Sequence, residues 1–282
     1  MATTYGEVVT THRLTPCLVR VVLCGAGLAE FAPTEWSDQY VNALFPPDGA
    51  PYGVPFDVEA ARAEGPGRRP VGRRLTVRAW DAAARRLTID VVTHGDVGHA
   101  GRWAAHAVPG DRLQFLGPSG AYAPDPGAGG HLMAGDESAL PAIAASLERV
   151  APGQPVVAVL LVDNADHQLA LDCPGDLQLH WVHRAGADPA ARDLLCRVVA
   201  GLDLPPAPAQ VFVHGEANEV RNLRRHLLGE RGIERERASI SPYWRRGQTD
   251  EQWREVKRDW IADMERDLAV HLRTSDLAHP DD

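Results

Sequence analysis

The stretch Arg73-Arg74-Leu75-Thr76-Val77-Arg78 sets three arginines and a threonine inside a run that otherwise reads as a β-strand. Side chains alternate across a strand, so Arg74, Thr76 and Arg78 share one face, and Arg73, Leu75 and Val77 share the other. One face of such a strand can reach a polyanion while the other packs on an apolar surface. The same charges also suit a solvated edge strand, where they discourage pairing with a second sheet. The surrounding chain decides between these readings.

On the N-terminal side, Tyr5 to Phe45 reads as short strands. Val19 to Leu23 runs into Gly25-Ala26-Gly27, and Gln39 to Phe45 is stopped by Pro46-Pro47-Asp48-Gly49. Pro51 to Pro70, rich in Pro, Gly and Arg, is expected to be a surface loop. After the arginine strand, Arg86 to Thr93 alternates Leu87, Ile89 and Val91 with polar neighbours, and Arg112 to Leu116 is one more strand. The sum is an antiparallel barrel or sandwich. Between these strands, the segment from Thr93 to Ala104 leads three glycines into a short helical run. Glycine lets backbone amides approach a ligand, and a helix N-terminus suits a pyrophosphate; a plain strand-to-helix connection explains the same glycines. His94 and His99 lie here with no third metal ligand evident.

Gly117 to Gly130 is the clearest linker, which predicts domains at 1–125 and 130–282. Beyond it the pattern becomes strand then helix, repeated. Strands at Leu132–Ala134, Val156–Val162, Leu177–Val182, Val211–His214 and Ala238–Tyr243 alternate with helices that include Ala139–Arg149, Pro189–Ala200 and Asn218–Gly229. That grammar predicts a parallel sheet covered by helices, with ligands beyond the strands' carboxyl ends at Gly135-Asp136-Glu137-Ser138 and Gly215-Glu216-Ala217. Asp136 or Ser138 serves equally well as a cap for the next helix. No strand is followed by Gly-x-Gly-x-x-Gly. The last helix, about Thr249 to Leu272, sets Trp253, Val256, Trp260, Met264 and Leu268 on one stripe. Before it, Pro242-Tyr243-Trp244-Arg245-Arg246-Gly247 gathers two aromatics and two arginines, suited to stacking on a ring system or to an anchored surface loop.

Composition narrows the function. The 282 residues are 44% hydrophobic, enough for two cores, and the 38 acidic against 29 basic residues (net −9) argue against a general nucleic-acid surface. The four cysteines form no Cys-x-x-Cys pair and are expected to be free, buried thiols of a reducing compartment. Met1 to Thr11 has no apolar core of a signal peptide, and Val156–Val162 is too short to cross a bilayer, so a soluble, cytoplasmic protein is expected. Ala278 to Asp282 is expected to be a frayed tail.

Together, the Arg-x-Leu-Thr-x-Arg strand in a β-rich first half and the α/β second half ending in Tyr-Trp-Arg-Arg-Gly resemble the siderophore-interacting proteins, flavin-dependent ferric-siderophore reductases of the ferredoxin-reductase-like superfamily. The resemblance implies an FAD-binding antiparallel barrel followed by an α/β domain with a parallel sheet for NAD(P)H or another donor, such as ferredoxin. It also implies electron transfer from FAD to a ferric-siderophore with release of iron(II). By this resemblance Arg73 and Arg78 meet FAD phosphate and ribose, Leu75 covers the flavin ring and Thr76 bonds its edge. His94, Gly95, Gly98, His99, Ala100, Gly101 and Trp103 cradle the phosphates. Asp136, Glu137 and Ser138 lie beside flavin and nucleotide, Tyr243 and Trp244 contact cofactor, and Arg246, with Arg245, attracts the anionic chelate. No residue is expected to ligate iron directly.

Several positions depart from the family pattern: Leu75 for a tyrosine, His99 for a proline, Gly101 for a serine, Asn42 for a lysine and Pro242 for a glycine. These departures leave two other uses open. One is a biosynthetic flavoenzyme of the same fold acting on an organic substrate; the other is a degenerate member that has lost flavin and has a binding or non-redox role.

Overall fold

The computed structural model describes residues 4–65, 67–95, 98–188 and 193–278, with side chains described to residue 270. Asp96 and Val97, the start of the helix expected from Pro189, and the tail beyond Ala278 lie outside the described residues. The chain forms two compact units. One comprises Met1–Ala123, Ala144–Arg149 and Asp166–Leu171, and the other Pro124–Ile143, Val150–Ala165 and Asp172–Asp282.

In the first unit, β1 (Thr4–Thr15), β2 (Leu18–Cys24), β3 (Tyr40–Phe45), β4 (Val71–Asp81), β5 (Arg86–Val92) and β6 (Arg112–Ser119) close into an antiparallel barrel in the order β1-β2-β5-β4-β3-β6. Alternation builds it: Val19, Val21 and Leu23 of β2 and Leu87, Ile89 and Val91 of β5 all point into one buried cluster with Val41, Val77 and Phe115. Closure leaves no unpaired edge, so the arginine strand β4 is an internal strand, held by β3 and β5, and not a solvated edge. Asp90, 5% exposed, is a polar exception in β5; Arg20 of the paired strand grips both its oxygens at 2.7 Å.

The segment read as a plain surface loop contains a short helix, α1 (Val58–Ala63), started by Asp57, whose Oδ1 accepts the Ala60 N–H at 2.7 Å. Phe56 before it is buried. The Gln114 amide, fully buried in β6, exchanges two 2.9 Å bonds with the Phe56 backbone. A second helix, α2 (His99–His106), follows β5.

The second unit is a parallel sheet of β7 (Gly130–Asp136), β8 (Pro155–Val162), β9 (Asp176–His183), β10 (Ala209–Glu216) and β11 (Ala238–Trp244), in the order β11-β10-β7-β8-β9. Helices α3 (Leu140–Leu147), α4 (Leu194–Ala200) and α5 (Ala217–Arg224) connect strands, and a π-helical turn, Arg225–Glu230, continues α5. β8 is an unbroken apolar run, as a strand covered on both faces requires. The chain builds β7, β8 and β9 in one direction, then crosses back to place β10 and β11 on the other side of β7. The carboxyl ends of β7 and β10 therefore flank the switch point, where sheets of this kind bind ligands.

The last helix, α6 (Asp250–Ala278), is longer than the stripe predicts. A capping box starts it: Thr249 Oγ1 accepts the Gln252 N–H at 3.3 Å, and Gln252 Oε1 accepts the Thr249 N–H at 2.9 Å. Trp253, Trp260, Met264 and Leu268 are buried, but Val256 is 38% exposed. At 3.6 residues per turn it falls about 80° from the centre of the stripe, on its flank. The four cysteines are thiols, as expected, but each is half-buried, not buried. No helix among the described residues is long and apolar enough to cross a membrane.

Candidate functional site

On the barrel, β4 displays its charged residues unevenly. Arg74 is exposed, with its guanidinium 5.3 Å from the centre of the Tyr40 ring, and Thr76, opposite Tyr40 in register, is half-buried. Arg73 is half-buried and donates to the Gly72 carbonyl at 2.9 Å. Arg78 sits at a slip in register between Val77 and Ala79, a device that re-aims a side chain, and grips Glu148 with both terminal nitrogens, Nη1 to Oε2 at 3.0 Å. No spacing between Arg78 and Glu148 announces that pair. Leu75 belongs to the barrel core and is only 8% exposed.

Next to β4 in the barrel, β5 ends at the glycine segment. His94 and Gly95 are exposed; Gly95 and Gly98 take φ of 62° and 77°, the left-handed region that favours glycine. Gly98 precedes α2 with no side-chain cap bond. Ala100 and Gly101 are buried, and a Cβ at Gly101 would lie 3.2 Å from the Val92 carbonyl oxygen, so that position stays small. His99 and Trp103, with Phe45, Asp48, Arg102 and His106, line a cleft of about 660 Å³. A helix N-terminus approached over glycine, strand arginines and a threonine hydroxyl fit the phosphates and ring edge of a dinucleotide. One further proximity escaped sequence reasoning: Cys17 Sγ lies 3.1 Å from His167 Nδ1, although 150 residues separate them.

The strand tips of the parallel sheet carry a second set. Asp136, 3% exposed at the end of β7, accepts the Ser138 N–H at 2.9 Å, the Ser138 hydroxyl at 2.5 Å, the Glu216 N–H at 2.9 Å and the Trp244 indole N–H at 2.8 Å. Burial pushes its carboxyl above the usual range, opposed by the Ser138 and Trp244 bonds. Glu137 is held by Arg184 in a two-pronged pair at 2.6 and 2.7 Å. Arg184 follows β9 directly, and the rule that ligands gather at strand carboxyl ends, applied to that strand as well, would have marked it. Glu216, ending β10, caps α5 through the Asn218 and Glu219 amides and accepts the Arg246 N–H at 3.1 Å. Tyr243 stands 4.8 Å from the buried His214 ring, which burial drives down to about 3, with Lys257 adding to the effect.

Two family models match the chain in succession: the siderophore-interacting FAD-binding domain over residues 7–122, and siderophore-interacting protein over residues 128–247. Ferric vibriobactin reductase ViuB of Vibrio cholerae is 33% identical over 246 residues, 85% of this chain and 88% of that one. This chain belongs to the siderophore-interacting proteins. It is accordingly an FAD-dependent oxidoreductase, with the flavin domain in its barrel half. Among solved structures, a siderophore utilization protein from T. fusca aligns with a TM-score of 0.74 at 37% identity, covering 88% of this chain and 94% of that one. The NADPH-dependent ferric-chelate reductase of Escherichia coli is 28% identical over 84% of this chain and 91% of that one. The pairing of a closed barrel with a parallel five-stranded sheet is of the ferredoxin-reductase-like type.

Proposed function

We propose that this protein reduces ferric-siderophores, taking two electrons from NAD(P)H and delivering them one at a time to iron(III), so that one NAD(P)H and two ferric chelates give NAD(P)⁺, a proton and two iron(II). The flavin, when bound, supplies the exchange between a two-electron donor and one-electron steps. Arg73, His94, Gly95, Gly98, His99, Ala100, Gly101 and Trp103 hold the FAD phosphates, and Thr76 bonds the ring edge. Arg78 contributes to that grip to the extent that Glu148 releases it. Glu137 and Ser138 border the nucleotide at the sheet's switch point, and Tyr243 and Trp244 border the chelate beside the arginines. Siderophores present hard oxygen ligands, often anionic, that favour iron(III), so adding an electron weakens the chelate and iron(II) leaves.

The observation that carries this reading is the Tyr243–Arg246 segment: in a chain of net charge −9 it brings two arginines and two aromatics to the carboxyl-end rim of the sheet. The names of ViuB and of the Escherichia coli relative support the same substrate class, and the latter supports NADPH as donor. The test begins with the visible spectrum of the protein after FAD is added and the excess removed. Anaerobic turnover then follows, with NADPH, NADH or reduced ferredoxin and an anionic ferric chelate, trapping iron(II) with a chromogenic chelator. Retained flavin and protein-dependent iron(II) are expected. Arg246→Glu should raise the chelate KM about tenfold with little change in kcat. A flavin-bearing protein that leaves ferric chelates untouched while turning over organic acceptors would overturn the proposal.

A further inference from the structure

The strand tips carry an arrangement that assigns one of these residues a different part from binding. A carboxylate has about four lone-pair sites, two on each oxygen. On Asp136 all four are taken: Oδ1 by the Ser138 N–H and hydroxyl, Oδ2 by the Glu216 N–H and the Trp244 indole. Gly215 makes the last two possible. Its φ is +140°, and a Cβ there would stand 2.7 Å from Asp136 Oδ2, so only glycine lets the β10 backbone close on the carboxylate. Glu216, drawn in by its own N–H, then turns its carboxylate to the next element: Oε2 caps α5, and Oε1 accepts the Arg246 N–H at 3.1 Å. Asp136 thus holds Trp244 directly and the backbone of Arg246 through Glu216, while His214 backs Tyr243. β7, β10 and β11 are stitched at their carboxyl ends into one rim.

We propose that Asp136 is a positioning residue, touching neither cofactor nor substrate, whose fully engaged carboxylate fixes Trp244 and the Arg245–Arg246 segment in the orientation that selects the anionic ferric chelate. This deepens the reading above and rests on it for the identity of the ligand. A carboxylate that met a ligand would need a free acceptor site. Freed of Asp136, the indole would turn and the two arginines behind it would sample several orientations, a loss that appears in recognition and not in flavin binding.

The experiment uses the FAD-loaded full chain with Asp136→Asn, Trp244→Phe and the double variant. Nitrogen-15 labelling of the tryptophans identifies the Trp244 indole N–H as the signal missing in Trp244→Phe. In the wild type that proton should exchange with water at least tenfold more slowly than an open indole, and Asp136→Asn should remove the protection. Each single variant should raise the KM for an anionic ferric chelate about tenfold at nearly constant kcat, and the double variant should be no worse than Asp136→Asn alone, because the bond that Trp244→Phe removes is one of those that Asp136→Asn already breaks. The FAD dissociation constant should stay within twofold.

Fast exchange of the Trp244 indole in the wild type overturns the proposal without any variant, which covers the case where Asp136→Asn fails to fold. Additive losses, or weakened FAD binding with the Trp244 signal unmoved, overturn it as well, since they place Asp136 on a ligand. If no ferric chelate is reduced at all, the functional reading fails while the exchange measurement still decides Asp136.

Discussion

Truncating Leu75 separates two roles that its position in the arginine strand allows. As a cover for a flavin ring, the side chain would matter for cofactor affinity alone. In the structure it is 8% exposed, a member of the barrel cluster opposite Val41 of β3 and two residues from Val77, which are 0% and 1% exposed. Leucine-to-alanine changes in cores cost about 2–5 kcal/mol, and a site at the margin of its cluster belongs in the lower half, so about 2–3 kcal/mol is expected for Leu75→Ala. With a urea slope of about 2 kcal/mol/M, the barrel's unfolding midpoint should fall by about 1 M. The assay is urea unfolding of the flavin-free protein, followed by tryptophan fluorescence. Arg74→Ala, exposed on the neighbouring position, serves as a control expected to shift stability by less than about 1 kcal/mol. Leu75→Tyr, which brings in the aromatic of the family pattern, should itself destabilise the flavin-free barrel by about 1–3 kcal/mol through overpacking. An unchanged midpoint for Leu75→Ala, together with a fall in FAD affinity, would refute the reasoning and return the residue to the flavin.

Removing the Arg184 guanidinium leaves Glu137, whose side chain is only 12% exposed, without its charge partner. Arg184→Ala should lower stability by about 2–3 kcal/mol, and adding Glu137→Gln should restore part of it; a thermal melt with no shift for the single variant would show the pair to be idle. His214 makes stability depend on acidity. The unfolded imidazole takes a proton below its ordinary value of about 6.5, whereas the folded ring, opposed by burial and then by Lys257, does so only near about 3. Between these values the unfolded chain binds the extra proton, so this contribution to stability is complete above the window and is lost as pH falls through it. From pH 7.5 to pH 5 the wild type should lose about 2 kcal/mol that His214→Gln keeps, read from urea midpoints at the two pH values. Parallel losses in both proteins would mean that His214 does not titrate differently in the two states.

The alternation of Leu87, Ile89 and Val91, the stop at Pro46-Pro47 and the repeated strand-helix grammar after Gly130 determined a β-rich unit followed by a parallel α/β unit, because periodicity is a local property that one chain segment carries by itself. The same locality marked Asp136, Glu216 and the Tyr243–Arg246 segment as residues at strand tips. Partners were another matter. Glu148 against Arg78, Arg184 against Glu137, and Trp244 against Asp136 join residues 70, 47 and 108 positions apart, and no spacing rule reaches that far.

Closure of the barrel likewise decided that the arginine strand is internal, and the length of α6 outran the apolar stripe that announced it. Val256 was misplaced for a simpler reason: a stripe written at intervals of three and four drifts around a helix of 3.6 residues per turn, and its third-position member slid to the solvent side. The elements, then, were set by hydrophobic period and turn residues along the sequence. What each charged side chain does was set only when the fold brought distant backbone amides, carboxylates and rings within hydrogen-bond reach, since burial makes a polar group without a partner costly.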